Sequence, residues 1–147
     1  MSASDVFENE MLLLFFNNTD FAGVGDAAGL QNSAAAGNLY VGLHTGDPLD
    51  AGPQTASETA YTGYARVAVA RSAAGWTVAA NVVSNAGVVT FPQCTGAPAT
   101  LTHFSIGEAA IGGSARMYFS AALTAPINVD NLITPKFAIG DLTVTAS

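Results

Sequence analysis

His44, His103 and Asp47 are the side chains in this sequence whose types could do chemistry together, since two imidazoles and a carboxylate suit a small metal site or an acid–base pair. Their setting points elsewhere. His44 ends an apolar run just before the turn signal Thr45-Gly-Asp-Pro48, and His103 alternates with apolar residues in a second extended run. Histidines so placed more often make one structural hydrogen bond to a loop carbonyl. Asp47 ahead of Pro48 reads as a turn former whose carboxylate accepts backbone N–H groups. Cys94 is the single cysteine, which rules out an intrachain disulfide, and a buried apolar role is expected for it. Glu108 stands alone in a loop, without the second carboxylate that glycoside hydrolysis needs. No nucleophile elbow, phosphate loop or His-x-x-x-His pair occurs. The expectation is therefore no enzyme, no metal and no cofactor.

The elements that would carry these residues are strands. Leu101 to Leu123 reads as a β-hairpin. In its first arm Thr102, Phe104 and Ile106 alternate with Leu101, His103 and Ser105; in its second, Met117, Phe119 and Ala121 alternate with Arg116, Tyr118 and Ser120. Gly112-Gly113 supplies the reversal, and the paired arms place this hairpin in the middle of a sheet. Further strands are expected at residues 39–44, 64–70, 76–83, 87–91, 127–129, 136–139 and 142–145, separated by turn signals. About eight short strands with such punctuation predict an antiparallel, jelly-roll-like β-sandwich.

One helix precedes them. Asp5-Val-Phe-Glu8 has N-cap spacing, and Phe7, Met11, Leu14 and Phe15 recur at helical intervals, so residues 5–16 should be helical and end at Asn17-Asn18. Leu12, Leu13 and Phe16 widen the apolar face. The helix either caps the end of the sandwich or serves as an arm that docks on another subunit. Residues 21–37 form a Gly- and Ala-rich loop that a partner would order. The domain organisation expected is an N-terminal helix and arm over 1–37 and a sandwich over 38–147.

With 147 residues, 10% of them charged, and a formal charge of −7, this is one acidic domain's worth of weakly charged chain. Arg66, Arg71, Arg116 and Lys136 are its only cationic Lys and Arg side chains, too few and too scattered for nucleic acid. The run Met11 to Phe16 is far too short for a membrane span, and no basic segment precedes it as in a signal peptide. Assembly in a cytoplasm is expected.

Several phrases carry a resemblance: Leu39-Tyr-Val-Gly-Leu-His-Thr-Gly-Asp-Pro48, Tyr64-Ala-Arg-Val67, Val89-Thr-Phe-Pro92, Thr102-His-Phe-Ser-Ile106, Leu123-Thr-Ala-Pro126 and Phe137-Ala-Ile-Gly-Asp-Leu-Thr-Val144. In this order the chain resembles a family of small phage virion proteins, often labelled tail-fibre-like, from about Leu39 to Thr145. It also closely resembles the jelly-roll cement proteins that clamp capsid subunits from outside on heads of short-tailed Bordetella phages. The segment from Ala22 to Gly37 is longer than that pattern. The resemblance implies a capsid cement or decoration protein on the outer face of the head, its partners the major capsid protein and itself, a homodimer favoured over a homotrimer. A tail-fibre or tail-tip component that binds a host receptor is the alternative. The residues expected to make contacts are Phe7, Met11, Leu14 and Phe15 on the helix, Tyr61 and Tyr64 beside Gly63, and the cations Arg66 and Arg116. Tyr40 and Trp76 are expected in the core.

Overall fold

Helix α1 spans Asp5–Asn17 in the computed structural model, which describes residues 2–112 and 116–147. Ser4, not Asp5, is its cap: its backbone is extended and its hydroxyl accepts the Phe7 N–H at 3.4 Å. Asp5 sits in the first turn instead, where a carboxylate meets the positive end of the helix dipole. The helix stops at Asn18, whose left-handed backbone (φ 55°) turns its N–H onto the Leu13 carbonyl. The packing face is Glu8, Leu12 and Phe16, one residue every turn. Phe16 is fully buried and meets Trp76 edge to face, with ring centroids 5.0 Å apart.

No basic residue occupies the last turn of α1. Arg71 supplies the missing charge from far along the chain. Its Nη2 donates to the Leu14 carbonyl at 2.6 Å, its Nε to the Phe15 carbonyl, and its Nη1 to Ser33 Oγ and the Ala36 carbonyl. A planar guanidinium fork thus satisfies orphan carbonyls at the negative end of the helix.

The chain folds as two compact units: Met1–Asn38, Val69–Val88 and Phe137–Ser147 make one, Leu39–Ala68 and Val89–Lys136 the other. In the first, β3 (Trp76–Ala79) and β4 (Val82–Asn85) form a tight hairpin, and β9 (Thr143–Thr145) pairs the free side of β4. The sequence suggested one strand over 76–83; Ala80-Asn81 splits it, with Ala80 in left-handed backbone at φ 54°. Buried Asn85 ties this unit together, donating to the Gly87 and Ala138 carbonyls and accepting the Leu142 N–H. The loop after α1 is held by its own chain. Phe21 and Leu30 exchange backbone bonds of 2.9 Å, the Asp26 carboxylate accepts from Ala28 and Gly29, and Asn18 and Ser33 bond each other twice.

The largest sheet has the order β2-β1-β6-β7, from β1 (Asn38–His44), β2 (Val67–Ala70), β6 (Ala99–Gly107) and β7 (Met117–Val129); β5 (Val89–Thr90) and β8 (Lys136–Phe137) make a separate pair. Strands β1 and β6 run antiparallel, with His44 directly opposite His103. The expected hairpin forms as β6–β7, with Phe104 opposite Ala121 and Ile106 opposite Phe119. Gly112 adopts positive φ (124°), while Gly113 lies outside the described residues. Only half of the expected central placement holds: β6 is interior, whereas β7 is an edge. The edge position and a register shift against β6 between Ala122 and Ile127 explain how β7 accommodates Pro126 on its way to Val129, where two strands were expected. A proline lacks the N–H that an interior strand would have to share.

The all-β expectation therefore holds. The structure is mostly strand, in several antiparallel sheets with one N-terminal helix, consistent with a sandwich-like fold. Trp76 is buried as expected and Cys94 is a buried free thiol, while Tyr40 is only half-buried.

Replacing Arg71 with alanine should cost about 2–3 kcal/mol, because several charge-assisted bonds to half-buried helix-end carbonyls are lost together. Arg71→Lys should recover only part, since an ammonium cannot span two carbonyls as the fork does. Urea denaturation of both variants measures this; an alanine variant as stable as the wild type would show that the clamp contributes nothing.

Candidate interaction surface

The turn and strand that carry His44 place it inside the second unit, fully buried. Its Nδ1 lies 2.8 Å from the Ala56 carbonyl and its Nε2 lies 2.8 Å from Ser105 Oγ. A carbonyl only accepts, so Nδ1 carries the proton and Nε2 accepts from the Ser105 hydroxyl. Gln54 completes the network, its Nε2 donating to Ser105 Oγ at 3.2 Å and to the Tyr40 carbonyl at 2.8 Å. The Gln54 side chain lies so close over Gly107 that a Cβ there would collide with it and with the Arg116 carbonyl. This covering explains why both faces of β6 are buried from Phe104 to Gly107, where alternation suggested one wet face.

A serine bonded to a histidine has the outline of a nucleophile and its base. Here both groups are buried, the third partner is a backbone carbonyl, and neither side chain lines the nearby cleft. The pair is a structural link. His103, the neighbour of His44 across the β1–β6 pair, makes no hydrogen bond to it and instead bonds Thr102 Oγ1 at 2.9 Å, and Asp47 accepts the Leu49 N–H at 2.9 Å as a turn former should. Among the described residues no three His, Cys, Asp or Glu side chains gather as a metal site would require.

The polar centre of this unit is Glu58, which no motif in the sequence singles out. Its Oε1 accepts from Arg66 Nε at 2.6 Å and from the Tyr64 hydroxyl at 2.8 Å, and its Oε2 accepts from Arg66 Nη2 at 2.7 Å. Arg66 Nη1 then reaches the Ala109 carbonyl at 2.9 Å. The bidentate pair is shielded, with the Arg66 side chain 2% exposed, and the bond to Glu58 holds the guanidinium above its usual range. Burial pushes the Tyr64 phenol up, although the Leu43 N–H bonded to its oxygen pulls the other way. Tyr61 donates to the Pro92 carbonyl at 2.8 Å, and burial beside Cys94 pushes it up to about 12. A cleft of ≈420 Å³ opens above these groups, lined among others by Glu58, Thr59, Tyr61, Tyr64, Arg66 and Ile111. Its charged walls are already engaged with each other.

The expected contact residues thus divide. Tyr61 and Arg66 are buried and Tyr64 half-buried, all three bonded within the second unit. Arg116 is at the surface, its side chain 78% exposed and 3.2 Å from Glu108, the exposed kind of ion pair worth about 0–1 kcal/mol. On α1, Phe7 and Met11 face outward while Leu14 and Phe15 are half-buried. Phe7 leans edge-on against Phe21, with centroids 5.7 Å apart, and Val6, Val24 and Leu30 of the same unit are exposed as well. Val24 and Leu30 were missed because an isolated apolar residue in a Gly-rich loop carries no periodic signal.

Glu58→Gln should destabilise the protein by about 3–5 kcal/mol, because it strands a buried guanidinium, whereas Arg116→Ala should change little; calorimetric unfolding compares the two. His44 gives a pH test. Burial holds its imidazole below the ordinary 6.5, outweighing the bond to the Ala56 carbonyl. The unfolded chain then binds this proton at higher pH than the folded one, so the contribution is whole above pH 6.5 and is lost as pH falls below it. His44→Gln should flatten the stability profile between about pH 6.5 and 5 relative to wild type; parallel profiles would contradict the assignment.

Among the described residues no helix is long and apolar enough to cross a membrane. The family model described as Podophage GP4 fiber I protein gp80 matches residues 2–145, and no curated protein gives a match. Nearly the whole chain is covered, in agreement with the phage virion resemblance of its strand motifs: the chain belongs to the Podophage GP4 fiber I protein gp80 family and is a structural protein of the phage virion.

Proposed function

We propose that this virion protein is a non-enzymatic capsid decoration or cement protein, bound to the outer surface of the phage head, where it joins major capsid protein subunits and stabilises the shell. The observation that carries the reading is a division of labour among side chains. The polar groups with chemical potential, His44, Glu58, Tyr64, Arg66 and Arg71, are bonded inside the fold, while large apolar side chains, Val6, Phe7, Met11, Val24 and Leu30, face solvent in the first unit. Exposed apolar groups of this kind favour adhesion over catalysis. A formal charge of −7 suits the outer face, away from the phosphates of packaged DNA. Retention would come from many modest interfaces repeated over the lattice. The protein acts as a homo-oligomer, with a dimer favoured over a trimer.

A second reading has a specific observation in its favour: the family description names a fibre protein. On that reading the chain belongs to a tail fibre or tail tip and binds a host receptor.

Copy number separates the two. Quantitative gel or mass-spectrometric ratios against the major capsid protein should give hundreds of copies per virion for cement; a few dozen or fewer would place the chain in the tail. Phe7→Asp with Met11→Asp, two surface changes, should leave the unfolding midpoint close to wild type yet weaken binding to undecorated heads at least about tenfold. Full occupancy by that variant would remove α1 from the docking surface.

A further inference from the structure

We infer that the exposed apolar patch of the first unit docks on a protein surface with an apolar floor and lysine or arginine at its rim. The inference rests on the head-binding reading above and names the chemistry that the partner must bring.

The patch is continuous across two segments. Phe7 and Met11 stand four residues apart on α1, one above the other on its outward side. Phe7 leans on Phe21, and Phe21 pairs with Leu30 through two backbone bonds of 2.9 Å. Residues directly opposed in an antiparallel bridge share a face, so Leu30 extends the patch beyond Phe21. Val24 is exposed in the loop between them, and Val6 is exposed on the first turn of the helix. The loop holds this shape by itself. Gly29 has positive φ (69°), and a Cβ there would collide with the Phe21 carbonyl, so the chain closes this tightly only with glycine. A patch already in place loses little ordering entropy when it binds.

The charges select the occupant. Glu10 is the i+3 neighbour of Phe7 and the i+4 neighbour of Val6, so a carboxylate stands within the apolar face. Asp20 and Asp26 belong to the loop that carries Phe21, Val24 and Leu30. Their carboxylates accept the backbone N–H groups of Asn32, Ala28 and Gly29, bonds that leave the negative charge in place. The only Lys or Arg of this unit is Arg71, and it is turned onto the Leu14, Phe15 and Ala36 carbonyls. Among the described residues both ion pairs, Glu58 with Arg66 and Glu108 with Arg116, lie in the second unit. The carboxylates beside the patch therefore receive no cationic side chain from their own unit. An apolar groove with a basic rim answers both features at once. An anionic lipid surface would instead oppose the carboxylates with its own charge. A second copy of this patch would bring no cation either.

Binding of the full-length protein to heads assembled without it, in low and high salt, tests this. Wild type should lose at least about tenfold in affinity between about 0.05 and about 0.5 M NaCl, as the charges are screened. In low salt Glu10→Lys should bind about tenfold more weakly than wild type, with Glu10→Gln between them, and the three should converge in high salt. Unchanged thermal unfolding of both variants would verify that the helix is intact. Binding that ignores both salt and the Glu10 variants would overturn the basic rim and leave head binding standing. Failure of wild type to bind heads would overturn this inference together with the reading beneath it. A wild type that sediments as a dimer, beside a Glu10→Lys protein that does not, would put a second copy on the patch and overturn the partner assigned here.

Discussion

Four cationic side chains serve this whole acidic chain, and two of them are turned inward as fasteners. Arg66 locks Glu58, and through Ala109 it ties the residue just ahead of β2 to the loop after β6. Arg71 locks the end of α1 to the loop that follows it. The pairing makes sense in a chain rich in Ala, Gly, Thr and Val, whose small side chains leave long loops with little apolar area to hold them. A guanidinium fork with several fixed acceptors ties such a loop at one point, and breaking either end leaves a buried charge or carbonyl without its partner.

The consequence for function is subtractive. Once Glu58, Arg66, Tyr64, His44 and Ser105 are engaged with one another and with backbone carbonyls, the cleft above them has polar walls whose chemistry is already directed inward. Among the features left at the surface, large apolar side chains stand out on the outward face of α1 and in the residues after it. These are adhesive features. They agree with membership of a family of phage virion proteins, and they favour a surface that associates with other proteins over one that turns over a substrate.

Much of this was legible in the sequence because period-two and period-3.6 patterns are local. The β6–β7 hairpin, α1, the Asp47 turn and the structural role of His44 all follow from residues close together in the chain. The rest is set by distance. Arg71 finds Leu14 from 57 positions away, and Gln54 finds Ser105 from 51, pairings for which no single stretch carries a signal. The turn at Ala80-Asn81 stayed hidden because a left-handed alanine stands where glycine would have announced it. An alternation pattern shows that a segment is a strand but not what lies beside it, so the edge position of β7 could be seen only once the sheet was assembled. Tyr61, Tyr64 and Arg66 drew notice as contact residues by type; the fold bonds all three within the second unit.

The central claim is adhesion to a viral shell by a protein whose reactive side chains face inward. An asymmetric cryo-EM reconstruction of the intact virion tests it most directly. The account predicts density for this chain on the outside of the head, repeated over the lattice, with α1 against the major capsid protein. Density confined to the tail, with the head surface bare, would contradict it.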